Sequence, residues 1–367
     1  MIDLRRNEYR PSEVSPPGDT LKEILDDRGL TQAELAERMG RPKKTINEII
    51  KGKAAITPET ALQLELVLGI PASFWTAREQ EYRTYLASVE QAKQLAAQAQ
   101  WLERFPVRDL VRGGWLRPAR DAGEQLRQLL TFLGVASPAQ WEALYAKRQV
   151  AFRSSNAFES NPETISAWLR CGAVDAAGQH CEPYDRTRFL EALVQVRGLT
   201  SGTPDEFVPK MKDLFAGAGV AVVLIRQFKG SCVSGSARWL SSQKALIQLS
   251  PRFSTNDQFW FTFFHEAAHI LLHGKKLIFL DSDTRRGVLE TEATEWASQF
   301  LIPTSALEGF LDSGSPTRSR ILRFAEEIGV APGIVVGRLQ HDRELPANHC
   351  NDLKVRWEWA SSELESA

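Results

Sequence analysis

The segment Phe261–Gly274, FTFFHEAAHILLHG, sets the tightest limit on what this chain can become, because it places His265, Glu266, His269 and His273 in an otherwise apolar run. Desolvating such groups costs on the order of a few kcal/mol each unless they are paired or bound to a metal. The preceding STND, residues 254–257, is a helix-capping signal and Gly274 is a stop, so the stretch between them reads as a central buried helix. On a helix His265 and His269 share one face, about 6 Å apart along the axis, close enough for both imidazoles to bind one tetrahedral zinc. Glu266 projects beside them, placed to accept a proton from a water at that metal. The pattern reads as a metal site rather than as two core histidines hydrogen-bonded to backbone.

His273 continues the same helix and lies about 12 Å from His265, too far for ligands that each reach zinc at about 2 Å. It reads as a residue behind the ligands or as helix-end structure. A third ligand has to come from elsewhere. Downstream, LETEATEWASQFLIP (Leu289–Pro303) reads as a second helix carrying Glu290, Glu292 and Glu295 and ended by Pro303. Helical spacing alone does not choose among the three carboxylates, and a solvated acidic face accounts for at least two of them.

At 367 residues the chain is long enough for two or three domains. A hydrophobic content of 43% and a charged content of 25% are those of an ordinary soluble globular protein. With a net charge of −1, any nucleic-acid surface must come from local patterning. Cys171, Cys181, Cys232 and Cys350 lack CxxC spacing, which argues against a cysteine zinc site or a disulfide framework and suits a reducing cytosol. The N-terminus lacks the apolar centre of a secretion signal, and no apolar run approaches about 18 residues. The expectation is a cytoplasmic protein with no membrane partner.

Residues 1–18 are polar, end in Ser-Pro-Pro-Gly and read as a loose arm. Residues 19–72 show four or five short helical patterns. Thr31 with Glu34 forms a capping box, Gly40 stops the second helix, and Pro42 sits at the start of the third. Residues 73–203 read as a helical connector and middle region, with helices over 123–134, 138–148 and 186–197. Residues 204–345 mix helices with strands near 220–228, 235–240 and 245–250, bounded by Gly and Ser. The stretch 346–367 reads as a tail. The fold class is therefore multidomain, an all-α N-terminal half followed by an α+β domain with a small sheet.

Between Arg38 and Lys53 there are six basic residues (Arg38, Arg41, Lys43, Lys44, Lys51, Lys53) against one acid, Glu48. A short helix, a glycine turn and a helix opening with basic and small polar residues is how a helix-turn-helix presents itself to the major groove. Lys43, Lys44, Thr45 and Asn47 are the candidates for base edges. Gln32, Lys51 and Lys53 are candidates for phosphates.

Two resemblances sharpen these readings. Residues 17–75 resemble the Cro/repressor-type helix-turn-helix, in its HigA-like antidote branch, through LTQAELAERMG, TINEIIKGK, ITPETALQL and LGIPASFW. Arg41-Pro42 departs from the usual apolar-Ser before the recognition helix. Residues from about 205 to 305 resemble the ImmA/IrrE metallopeptidases through FTFFHEAAHILLH and EATEWASQFLIP, with Ala268, Trp296 and Phe300 as departures that remove no ligand. That resemblance implies a zincin-like fold, His265, His269 and Glu292 as metal ligands, and Glu266 as general base. It also implies a zinc peptidase acting on a Cro-type repressor. Zinc is favoured by two histidines and a glutamate, and manganese can occupy such sites. Together the resemblances imply a homodimeric regulator bound to double-stranded operator DNA, with a repressor, antitoxin or toxin protein as substrate or partner in a stress, phage or toxin–antitoxin response. The alternative they leave is an antitoxin-type DNA-binding protein whose peptidase-like domain only binds a partner.

Overall fold

Turn chemistry lays out the N-terminal helices. The computed structural model describes residues 13–144, 161–229, 233–251, 255–274 and 283–357, without the side chains of 283–286. Five helices come first: α1 (Pro17–Asp27), α2 (Gln32–Met39), α3 (Lys43–Ile50), α4 (Pro58–Leu68) and α5 (Ala72–Ala97). The capping box forms as expected, with the Thr31 N–H donating to Glu34 Oε2 at 2.8 Å and the Glu34 N–H donating to Thr31 Oγ1 at 3.2 Å. Gly40 ends α2 at φ 63°, a left-handed conformation that glycine adopts without steric cost. Pro42 is the residue before the first turn of α3, where its missing N–H is no loss. Leu21, Leu35, Ile46, Leu64 and Trp75 are wholly buried in one shared core. Most of the arm expected over 1–18 lies outside the described residues, while Pro17 and Gly18 already belong to α1.

Chain contacts divide the molecule into two compact units, residues 2–99 with 121–126 and residues 100–120 with 127–367. The helices α6 (Val107–Arg112), α7 (Ala122–Leu133), α8 (Pro162–Gly178), α9 (Arg186–Arg197) and α10 (Pro204–Gly217) lead up to the sheet. Residues 138–144 are helical as well, and the remainder of the helix expected over 138–148 lies outside the described residues. The sheet contains β1 (Val220–Leu224), β2 (Gly235–Ser241) and β3 (Lys244–Leu249) in the order β1-β3-β2. β1 pairs parallel to β3, and β2 pairs antiparallel to β3. After the sheet come α11 (Asn256–Leu272), α12 (Asp283–Leu301), α13 (Thr304–Asp312), α14 (Arg318–Ile328) and α15 (Pro332–His341).

Every residue of β1 is buried, so the sheet needs cover on both faces. Val220, Val222, Ala245 and Ile247 face the large core shared with Phe215 of α10 and Phe263 of α11. Ala221, Val223 and Leu246 face the other way and pack with Ala176 of α8. A buried polar junction reinforces this second face. Gln248, fully buried on β3, donates to Trp168 O at 2.7 Å, and Arg238 donates to Gln248 Oε1 at 3.0 Å. The helix α8, which falls in the stretch read as a connector, is therefore one cover of the sheet.

The start of the histidine helix is fastened by the C-terminal segment. The Asn256 N–H donates to Val355 O at 2.9 Å, and the Val355 N–H donates back to Asn256 Oδ1 at 3.1 Å. Lys354 Nζ lies 2.8 Å from Asp257 Oδ2, and the Trp357 ring packs 5.1 Å from that of Phe207. Part of the stretch read as a tail, up to residue 357, thus holds α11 in place. The stretch ASSELESA lies outside the described residues. Among the described residues, no helix is long and apolar enough to cross a membrane.

Candidate metal centre and nucleic-acid interface

His265 and His269 lie one helical turn apart on α11 with their Nε2 atoms 3.1 Å from each other. Glu290 Oε2, from α12, lies 3.1 Å from His265 Nε2 and 3.6 Å from His269 Nε2. Donor atoms 2.0–2.1 Å from a tetrahedral ion sit roughly 3.3 Å apart, so these three separations fit one zinc-sized cation. Two imidazole nitrogens facing each other across 3.1 Å also require something positive between them, a proton or a metal. The donor set, two imidazoles and one carboxylate, is one that zinc accepts and manganese tolerates. The histidine side chains are 16% and 11% exposed and that of Glu290 is 45% exposed, so the cluster is anchored in the core and open on the carboxylate side.

The structure corrects the assignment of the third carboxylate. Glu292 is not beside the histidine pair; its Oε2 lies 3.3 Å from His273 Nε2. Two residues along a helix turn the side chain by about 200°, so Glu290 and Glu292 cannot share a direction. Glu290 belongs to the face of Ala293, Thr294 and Ala297. Both alanines are fully buried, and Thr294 Oγ1 sits 3.3 Å from His265 Nδ1. Glu295 is exposed. His273 is outside the triad, as its spacing requires, with its Nδ1 2.9 Å from His269 Nδ1.

Glu266 is nearly buried, at 8% exposure, and faces β2. A Cβ on Gly235 would lie 2.7 Å from Glu266 Oε1 and 2.9 Å from Thr262 Cγ2, so the strand passes directly against the carboxylate. Burial pushes the Glu266 carboxyl up, and the neighbouring His269 and His265 offset this only in part. Glu290 is held well below the usual carboxylate range by its hydrogen bonds to His265 and then His269. The two carboxyls of the site are thereby driven apart, one towards proton uptake and one fixed as an anion. For His265 burial works against the protonated form, but the hydrogen bond to Glu290 and the charges of Glu266 and Glu290 outweigh it and raise its pKa.

In the N-terminal unit, α3 buries Ile46 and Ile49 and leaves Lys43 and Lys44 exposed, with Thr45 and Asn47 half-buried. Asn47 Nδ2 donates to Gln32 Oε1 at 3.3 Å, which brings together the first residue of α2 and the middle of α3. Lys51 and Lys53 are exposed just beyond α3. Arg41, counted with the basic stretch, is turned inwards, hydrogen-bonded to Gln63 and 3.5 Å from Glu59.

Comparison with known proteins agrees with this division. A helix-turn-helix family model matches residues 21–75, and the Peptidase_M78 model, described as an IrrE N-terminal-like domain, matches residues 221–340. An Escherichia coli (strain K12) protein described as the uncharacterized HTH-type transcriptional regulator YddM is 37% identical over 59 residues, 16% of this chain and 63% of that protein. Virulence-associated protein A of Dichelobacter nodosus is 38% identical over 68 residues, 18% of this chain and 67% of its own length. Antitoxin HigA-1 of Vibrio cholerae is 36% identical over 73 residues, 20% of this chain and 66% of its own length. The chain thus carries a helix-turn-helix domain, similar to those of the YddM regulator and antitoxin HigA-1, followed by an IrrE N-terminal-like domain of the Peptidase_M78 family.

Proposed function

We propose that this chain is an operator-binding regulator whose C-terminal unit hydrolyses a peptide bond, in a repressor- or antitoxin-type protein or in the chain itself. The observation that carries the reading is the position of Glu266, buried against β2 and adjacent in sequence to one of two histidines that converge with Glu290. His265, His269 and Glu290 would hold a divalent cation, zinc or manganese. Such a cation, when bound, supplies Lewis acidity that polarises a carbonyl and acidifies a water. Glu266 takes the proton of the attacking water and returns it to the departing amine, a cycle for which its raised pKa is suited. The N-terminal unit, as a homodimer, places the peptidase unit on double-stranded DNA with an inverted repeat.

Glu266→Gln removes the proton acceptor and no ligand. Metal content, fold and DNA binding are expected to persist, and cleavage to fall by about 10²–10⁴. The comparison is made by following the chain and its neighbouring repressor or antitoxin in cells after DNA damage or phage induction. Equal processing by wild type and Glu266→Gln rejects the peptidase reading. The likeness of the N-terminal unit to antitoxin HigA-1 then favours the second reading, an antidote whose peptidase-like unit only binds a partner.

A further inference from the structure

Beyond the three convergent donors, α11 and α12 align a second set of groups that the peptidase chemistry leaves unused. His269 turns its Nε2 towards His265 and Glu290, so the lone pair on that nitrogen is the one directed at the cation site. Its proton then resides on Nδ1. That nitrogen lies 2.9 Å from His273 Nδ1, which must accept, and His273 in turn carries its proton on Nε2. The Nε2 of His273 lies 3.3 Å from Glu292 Oε2, an acceptor on the far side. Each hydrogen bond fixes the direction of the next, and the series ends on a carboxylate whose side chain is 52% exposed, while the side chain of His273 is 5% exposed.

The other ligand imidazole is backed differently. His265 Nδ1 meets the hydroxyl of Thr294 at 3.3 Å, a neutral partner. The two histidines of the site are therefore not equivalent: one is oriented by a hydroxyl, the other by an anion acting through an intervening imidazole.

We propose that Glu292 and His273 form a two-residue relay that orients His269 and strengthens it as a metal ligand, so that α12 supplies both the direct carboxylate, Glu290, and the remote one, Glu292. They are positioning residues, and the proposal rests on the metal-centre reading given above. Partners behind ligand histidines fix the tautomer and raise ligand basicity, and their removal typically weakens metal binding by about 10–100-fold.

The test is the zinc dissociation constant of the full chain, measured by competition with a chromophoric chelator for wild type, Glu292→Gln, Glu292→Ala, His273→Ala and the His273→Ala/Glu292→Ala double variant. Glu292→Ala is expected to bind one zinc with about 10–100-fold lower affinity, and Glu292→Gln, which keeps an acceptor and loses the charge, to fall between it and wild type. Because the carboxylate acts only through the imidazole, Glu292→Ala is expected to add less than about twofold once His273 is alanine. Thermal unfolding of the metal-free forms separates this from damage to the fold, and the half-exposed Glu292 variants are expected to melt with wild type. Wild-type affinity in Glu292→Ala, or costs that add in the double variant, overturns the relay. Complete loss of zinc in Glu292→Ala makes Glu292 a direct ligand and also overturns it. A wild-type chain that binds no zinc removes the metal centre itself, an outcome distinct from all of these.

Discussion

Gly235 and Glu266 are 31 positions apart in the chain and touch across the junction of β2 with α11. Gly235→Ala would press a methyl to within 2.9 Å of the Glu266 and Thr262 side chains. The expected result is a destabilisation of about 1–3 kcal/mol, read as a lower urea midpoint, with metal content unchanged because no ligand is moved. Unaltered stability would mean that β2 can draw back from the helix. This contact is not legible in the sequence, since nothing local marks which glycine a buried carboxylate will meet. The histidine pair is legible, because a fixed helical period brings positions four apart onto one face wherever the helix lies. The third carboxylate is intermediate. Its helix was readable, but choosing Glu290 over Glu292 needs the helical phase, and the clue was the small buried Ala293 and Ala297 that turn the Glu290 face towards α11.

At the scale of elements, the helix-turn-helix is the most legible part of the chain. Thr31, Glu34 and Gly40 specify where α2 begins and ends through local hydrogen bonds and a local conformation, which need no tertiary context. Arg41 is the exception: it counts with the basic stretch in the sequence, and its partners Gln63 and Glu59 lie on α4, out of reach of any local rule. On α3, Asn47→Ala or Lys44→Ala is expected to lose about 1–3 kcal/mol at particular base pairs. Lys51→Ala or Lys53→Ala is expected to weaken all sequences alike and to lower the slope of log affinity against log salt by about 1. Binding of these variants to the chain's own promoter and to random DNA, measured over a salt series, checks both. A uniform loss in Asn47→Ala would move that residue from base reading to support of Gln32.

At the scale of the molecule, the order of a helical half followed by an α+β half was readable from periodicity and turn residues. The boundary between them was not. The helix α8 falls outside the three helices read in the middle region, and its role becomes apparent only because β1 is buried on both sides and Ala221, Val223 and Leu246 need a partner. The C-terminal segment is similar, since Asn256 and Val355 find each other across 99 positions. Both features serve the same end, a fixed α11 on which His265, Glu266 and His269 are held opposite Glu290. The chemistry of the C-terminal unit therefore depends on whether those residues hold a metal. Metal analysis of the purified full chain, loaded with excess zinc and desalted, tests this directly. Wild type and Glu292→Ala are expected to retain about one ion per chain, whereas His265→Ala, His269→Ala and Glu290→Ala lose it. Retention in Glu290→Ala with loss in Glu292→Ala, or no metal in wild type, would contradict the site described here.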